Sequence, residues 1–131
     1  MHTTKSMEET ETKMSETAAE NWLGLSYFSV TGKGDRAYNE DACGHAAAGT
    51  LVTFVVSDGV GGQPGGDLAS HAVVERIRQD SKALSREQML SGYRAIEDEI
   101  RANQALNPRN VRMGATVAEL RLDTARQLAL W

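Results

Sequence analysis

The strongest hydrophobic signal in the chain is the run Leu51-Val52-Thr53-Phe54-Val55-Val56. An apolar run this short and this continuous predicts a buried central strand. Trp22 to Val30 alternates more loosely and is rich in aromatic and β-branched residues, which predicts a first strand. Downstream the period lengthens. Leu68, Ala69, Ala72, Val73 and Ile77 form one stripe of a helix over about Asp67 to Lys82. Met89, Tyr93, Ile96 and Ile100 repeat at steps of four, three and four, which predicts a second helix. That helix opens at the capping pair Ser85 and Gln88 and closes at Asn107-Pro108. Alternation returns from Gly114 to Leu122, with Ala118, Leu120 and Leu122 on one face. Asp123 to Arg126 reads as a turn, and Gln127 to Trp131 as the start of another strand. Strands, two helices and strands again argue for an α+β fold with a mostly antiparallel sheet.

The polar segments divide these elements. Residues 1–20 are rich in Thr, Ser, Glu and Lys and nearly free of large aliphatics, so a disordered acidic tail is expected there. Residues 21–131 make one partial domain. Thr31 to Asp35 is a loop, and Asp41 to Thr50, rich in Ala and Gly, is a short strand and a turn. Gly59 to Gly66 holds five glycines and Pro64, the sharpest loop signal in the chain. The run Leu128 to Trp131 ends the sequence inside an expected strand, which reads as a truncation point.

Charge adds little to this picture. The net charge is −4, and the five glutamates within residues 1–20 carry most of it, so the remainder is nearly neutral. No basic run with interleaved aromatics is present, which argues against nucleic-acid binding. The single cysteine, Cys43, excludes an intramolecular disulfide and suits a reducing, cytoplasmic setting. No apolar run approaches the ~20 residues needed to span a membrane. Cys43 reads as a small buried side chain, His45 as a loop residue and His71 as a surface or packing residue. Glu97 and Arg101 read as an exposed ion pair.

Two short acidic stretches carry the chemistry. One is Arg36-Ala37-Tyr38-Asn39-Glu40-Asp41; the other is Ser57-Asp58-Gly59-Val60-Gly61-Gly62, which follows the apolar run. Each places carboxylates where the chain is expected to leave a strand or enter a turn. Brought together, Glu40, Asp41 and Asp58 would make an oxygen-rich cluster suited to a hard divalent cation. Two carboxylates about 4 Å apart repel by roughly 4 kcal/mol at an effective dielectric near 20, so such a cluster protonates or binds metal. The Gly59 carbonyl could add a backbone ligand. Arg36, planar and always charged, could clamp phosphate oxygens in two-pronged fashion. Other motif readings fail: the glycine loop has no Gly-Lys-Ser/Thr, Pro64 breaks a Gly-x-Gly-x-x-Gly spacing, and no Gly-x-Ser-x-Gly occurs.

With these residues in view, the chain over about 24–131 resembles the PP2C-type (PPM) serine/threonine protein phosphatases, especially the bacterial branch. The resemblance rests on Arg36-x-x-Asn39-Glu40-Asp41, on Val55 to Gly62, on Gly66-Asp67-Leu68-Ala69-Ser70 and on Gly114-Ala115-Thr116, in that order. It implies an α-β-β-α layered sandwich, present here as its N-terminal portion, with two Mn²⁺ or Mg²⁺ ions at one end. It further implies that Asp58 bridges the metals, that Gly59 supplies a carbonyl ligand, and that Glu40 and Asp41 hold metal-bound waters. Arg36 matches the catalytic, phosphate-binding arginine. The implied partner is a phosphorylated protein, the product of a serine/threonine kinase, met by a monomer that uses neither membrane nor nucleic acid. There are departures. Val60 excludes a His general acid at its position, and Ala115 replaces a usual Thr. The family's Gly-Asp-Ser-Arg segment and closing aspartates would lie beyond Trp131, so the implied ligand set is partial. Two other readings stay open: a truncated, non-catalytic phosphatase-like remnant, and a phosphate- or partner-binding module.

Overall fold

The computed structural model describes residues 15–22, 24–60 and 65–131. Two antiparallel sheets carry the strands. Strands β1 (Ser15–Trp22) and β2 (Leu25–Thr31) form a hairpin. The larger sheet runs β3 (Asp41–Ala48), β4 (Leu51–Val60), β6 (Ala118–Asp123) and β7 (Leu128–Leu130), and β5 (Gly114–Ala115) pairs with the end of β4. Helices α1 (Gly66–Asp80) and α2 (Arg86–Leu106) join β4 to β5, followed by a 3₁₀ turn at Pro108–Asn110. This is the mixed α/β, antiparallel layering expected from the hydrophobic pattern. Among the described residues, no helix is long and apolar enough to cross a membrane.

The apolar run becomes the middle of the sheet because its side chains can be buried on both faces. Leu51, Val52, Thr53 and Val55 are all buried. One face meets the helices, where Ala42 and Val55 pack against Val73, Val74 and Ile77 of α1 and Ile96 of α2. Helix α1 lies close on β3 at Gly44, where a Cβ would come within 2.6 Å of Val74 Cγ1. The opposite face meets the hairpin through Tyr27, whose ring stands edge-on to Phe54 at 4.9 Å and to His45 at 4.6 Å. That face is only partly covered: Val56 is 56% exposed.

Helix α2 starts as expected, with Ser85 Oγ accepting from the Gln88 amide at 3.3 Å, and Asn107 caps its end. Met89 and Ile96 are buried, while Tyr93 and Ile100 are half-buried. The Asp123 turn is held by its Oδ1, which accepts from the amides of Ala125 and Arg126. The exposed Glu97–Arg101 pair forms at 2.6 Å.

Several expectations need correction. Residues 1–14 of the expected tail lie outside the described residues, but residues 15–20 belong to β1. The single first strand over Trp22 to Val30 is instead the junction of a hairpin, with Gly24 turning at φ +82°. His45 is in β3 opposite Phe54, not in a loop. Cys43 is half-buried rather than fully buried. The strand expected over Gly114 to Leu122 breaks at Thr116–Val117 into β5 and β6. Strand β6 also inverts the expected burial. Leu120 and Leu122 share a half-buried face, as their spacing requires, whereas the fully buried face carries Glu119 and Arg121. Those two charges face each other at 2.5 Å. Tyr93 Oη donates to Glu119 at 2.9 Å, and Arg121 Nη1 donates to the Ala83 carbonyl at 2.8 Å.

Candidate functional site

The two acidic stretches meet because β3 and β4 pair in register. Asp41 stands directly opposite Asp58, at the end of the ladder farthest from the Gly49–Thr50 turn. Asp58 is therefore a strand residue, and β4 continues through Gly59 and Val60 into its pairing with β5. The expected loop is correspondingly shorter: residues 61–64 lie outside the described residues, and Gly66 already begins α1.

Asp58 is held from two sides. Its amide donates to Thr116 Oγ1 at 3.0 Å, and its carbonyl accepts from the Thr116 amide at 2.9 Å. Ser57 Oγ donates to the Thr116 carbonyl at 2.7 Å. The break between β5 and β6 thus places Thr116 where both its backbone and its hydroxyl grip β4. With the Asp58 backbone bound in this way, its carboxylate points out exposed beside that of Asp41. Like charges directly opposite each other destabilise a ladder.

Glu40 approaches from behind. Its carbonyl accepts from the Gly59 amide at 3.0 Å. Its carboxylate lies against Gly66, where a Cβ would meet Oε1 at 2.8 Å. Gly59 and Gly66 also touch: a Cβ on Gly59 would sit 2.0 Å from the Gly66 carbonyl oxygen. The N-terminus of α1 is therefore packed onto the end of β4, and its positive end lies beside Glu40. Asn39 braces this corner, donating to Thr31 Oγ1 at 2.8 Å and accepting from the Asp41 amide at 3.1 Å. A hollow of about 530 Å³ opens beside Asp41 and Asp58, with Val30, Cys43, Val56 and Thr116 among its walls.

Arg36 is not drawn into the cluster. It lies in an exposed bend, its amide donating to the Lys33 carbonyl at 3.2 Å. Among the described residues, no hydrogen bond or ion pair joins its guanidinium to Glu40, Asp41 or Asp58. Sequence reasoning missed Asp67 and Thr116 as site residues. Asp67 is the acidic residue in the first turn of α1, and its Oδ1 is buried without a hydrogen-bond partner, as is Glu40 Oε1. The signal that could have found Asp67 is its place directly after the glycine loop.

These observations test the fit of a metal. Two sheltered carboxylate oxygens without donors, and a pair of opposed aspartates, are what a hard cation would satisfy. Against this, no three His, Cys, Asp or Glu side chains among the described residues converge as a metal-holding group. The described residues offer donors suited to a hard cation but do not converge as a complete site.

No family model matches the sequence, and no curated protein matches it. Solved structures do match in fold. Two crystal structures of a bacterial serine phosphatase, one with an arginine-to-glutamate substitution and one with arginine-to-alanine, each align with a TM-score of 0.60. They are 19% and 18% identical to this chain, and the alignments cover 87% and 86% of it. The chain spans 50% of the length of each. Over that half, the antiparallel sheet and its two helices have the fold of a bacterial serine phosphatase.

Proposed function

We propose that this chain forms the N-terminal part of a metal-dependent protein serine/threonine phosphatase of the PP2C type. The observation that carries the reading is the Asp41–Asp58 pairing at the edge of a hollow, with the sheltered Glu40 oxygen behind it. The phosphatase-like fold supports it. Asp58 would bridge two Mn²⁺ or Mg²⁺ ions, with the Gly59 carbonyl as a backbone ligand and Glu40 and Asp41 holding bound water. Bound divalent ions supply hydroxide near neutral pH and neutralise phosphate charge. The chain's own contribution is positional. Thr116 and Asn39 fix the backbones from which Asp58 and Asp41 project. Arg36, on its exposed bend, would close on the phosphate of a phosphoserine or phosphothreonine protein in the cytoplasm, bound by a monomer.

The test is hydrolysis of a phosphothreonine peptide by the full-length protein with and without Mn²⁺, together with calorimetric titration of Mn²⁺. Metal-dependent release of phosphate, lost in Asp58→Asn, is expected. Equal release by that variant would overturn the reading. A second reading, a phosphate binder without turnover, is favoured by the absence of a three-ligand group among the described residues. It requires phosphopeptide binding that survives EDTA and fails in Arg36→Ala.

A further inference from the structure

One stretch of the chain reverses the sign of the rest. From Ile100 to Ala118 it carries Arg101, Arg109 and Arg112 and no Asp or Glu, in a sequence of net charge −4. Arg101 pairs with Glu97, but neither Arg109 nor Arg112 has an ion-pair partner among the described residues. Both are exposed. Two aliphatic side chains accompany them in the open, Val111 at 64% exposure and Leu106 at 85%.

This tip between α2 and β5 is firmly built. Asn107 Oδ1 accepts from the Arg109 amide at 3.1 Å, and the Asn107 carbonyl accepts from the Asn110 amide at 2.9 Å. The Asn110 carbonyl in turn accepts from the Met113 amide at 2.9 Å. Asn110 and Met113 are buried, and Met113 lies against Gly65, where an added Cβ would come within 2.7 Å of the Met113 Cβ. The tip also stands at the Asp58 end of the sheet. Gly114 pairs with Val60, and Thr116 holds the Asp58 backbone. Arg112 lies four residues before Thr116, at most roughly 14 Å along the chain, a reach that an extended peptide covers in about four residues.

Two unpaired guanidiniums recognise carboxylates, and the aliphatics beside them accept an apolar neighbour. The set falls short of the roughly four to eight basic residues that hold a protein to an anionic membrane. No aromatic residue stands in the stretch to stack nucleobases. We propose that this tip binds an acidic, partly apolar segment of the phosphoprotein, three or four residues from the phosphorylated side chain. The identity of the substrate rests on the phosphatase reading; the contact itself does not.

The test has two arms. In the first, the chain in EDTA is titrated with an unphosphorylated peptide containing Glu-Glu-Leu and followed by amide NMR. Saturable shifts are expected at Arg109, Val111 and Arg112, weakened by salt and lost when Arg109→Glu and Arg112→Glu are combined. In the second, the full-length protein hydrolyses phosphothreonine peptides bearing Glu or Lys three and four positions away. The Glu peptide should show a KM at least fivefold lower, and the double variant should reverse that order. Shifts elsewhere or indifferent to salt, equal KM values, or an unreversed preference would overturn the proposal. So would a response of the same amides to phosphatidylserine vesicles or single-stranded DNA but not to the peptide. Should neither peptide be hydrolysed, the phosphatase reading fails, and the NMR arm alone decides the contact.

Discussion

Arg121 and Glu119, two residues apart on β6, form an ion pair at 2.5 Å with side chains 2% and 0% exposed. A buried pair of this kind gains little over a hydrophobic replacement, but breaking it leaves an uncompensated charge. Here the pair also carries the helical layer: Glu119 receives Tyr93 of α2, and Arg121 reaches Ala83 in the α1–α2 connection. Glu119→Ala or Arg121→Ala should each cost about 3–5 kcal/mol in urea denaturation. The double change to Leu and Met should cost far less than the sum of the two.

Tyr93 should ionise late. Its phenol is pushed up to about 12, first by burial and then by its hydrogen bond to Glu119 and the charge there. The unfolded phenol ionises near 10, so the folded state holds the proton more tightly. The resulting stability is complete below pH 10 and is lost as pH rises toward 12. Ultraviolet difference titration should show one of the three tyrosines ionising near pH 12. Tyr93→Phe should abolish that step and flatten the alkaline loss of stability between pH 10 and 12.

Gly59→Ala should displace α1. The added methyl would lie 2.0 Å from the Gly66 carbonyl and 2.7 Å from that of Glu40, and both neighbours are backbone. Overpacking typically costs about 1–3 kcal/mol, and a backbone clash belongs at or above the top of that range. A lowered melting temperature, with amide shifts concentrated at Glu40 and Gly66, is the expected result.

Asp41→Asn should stabilise the metal-free chain. It removes one of two like charges facing each other across the ladder, a contribution of roughly 0.2–1 kcal/mol. On the metal-binding reading, the same variant should lose part of the Mn²⁺-induced rise in melting temperature. Paired thermal melts with Mn²⁺ and with EDTA read both effects, and a site kept for function should show them with opposite signs.

The sequence disclosed the layered fold because periodicity reports burial, and the buried strand and both helices are strongly periodic. It disclosed the neighbourhood of Asp41 and Asp58 only through the resemblance, because register between β3 and β4 is a tertiary property. Strand β6 misled because alternation identifies two faces but not which one lies inward. Leu120 and Leu122 look like core, yet Glu119 and Arg121 occupy the buried face, since they satisfy each other and the helices above. The role of Thr116 was illegible for a related reason, since it acts through Asp58, a partner distant in the chain, whereas Asp67 left only its place directly after the glycine loop as a signal.

The Thr116 grip on Asp58 spans 58 positions of sequence. Closing so long a loop is entropically slow, and its cost must be met before the contact returns anything. The acidic pair on β3 and β4 can form from a local hairpin, but its orientation waits for a strand made after both helices. On a ribosome, carboxylates would be exposed early and aligned late.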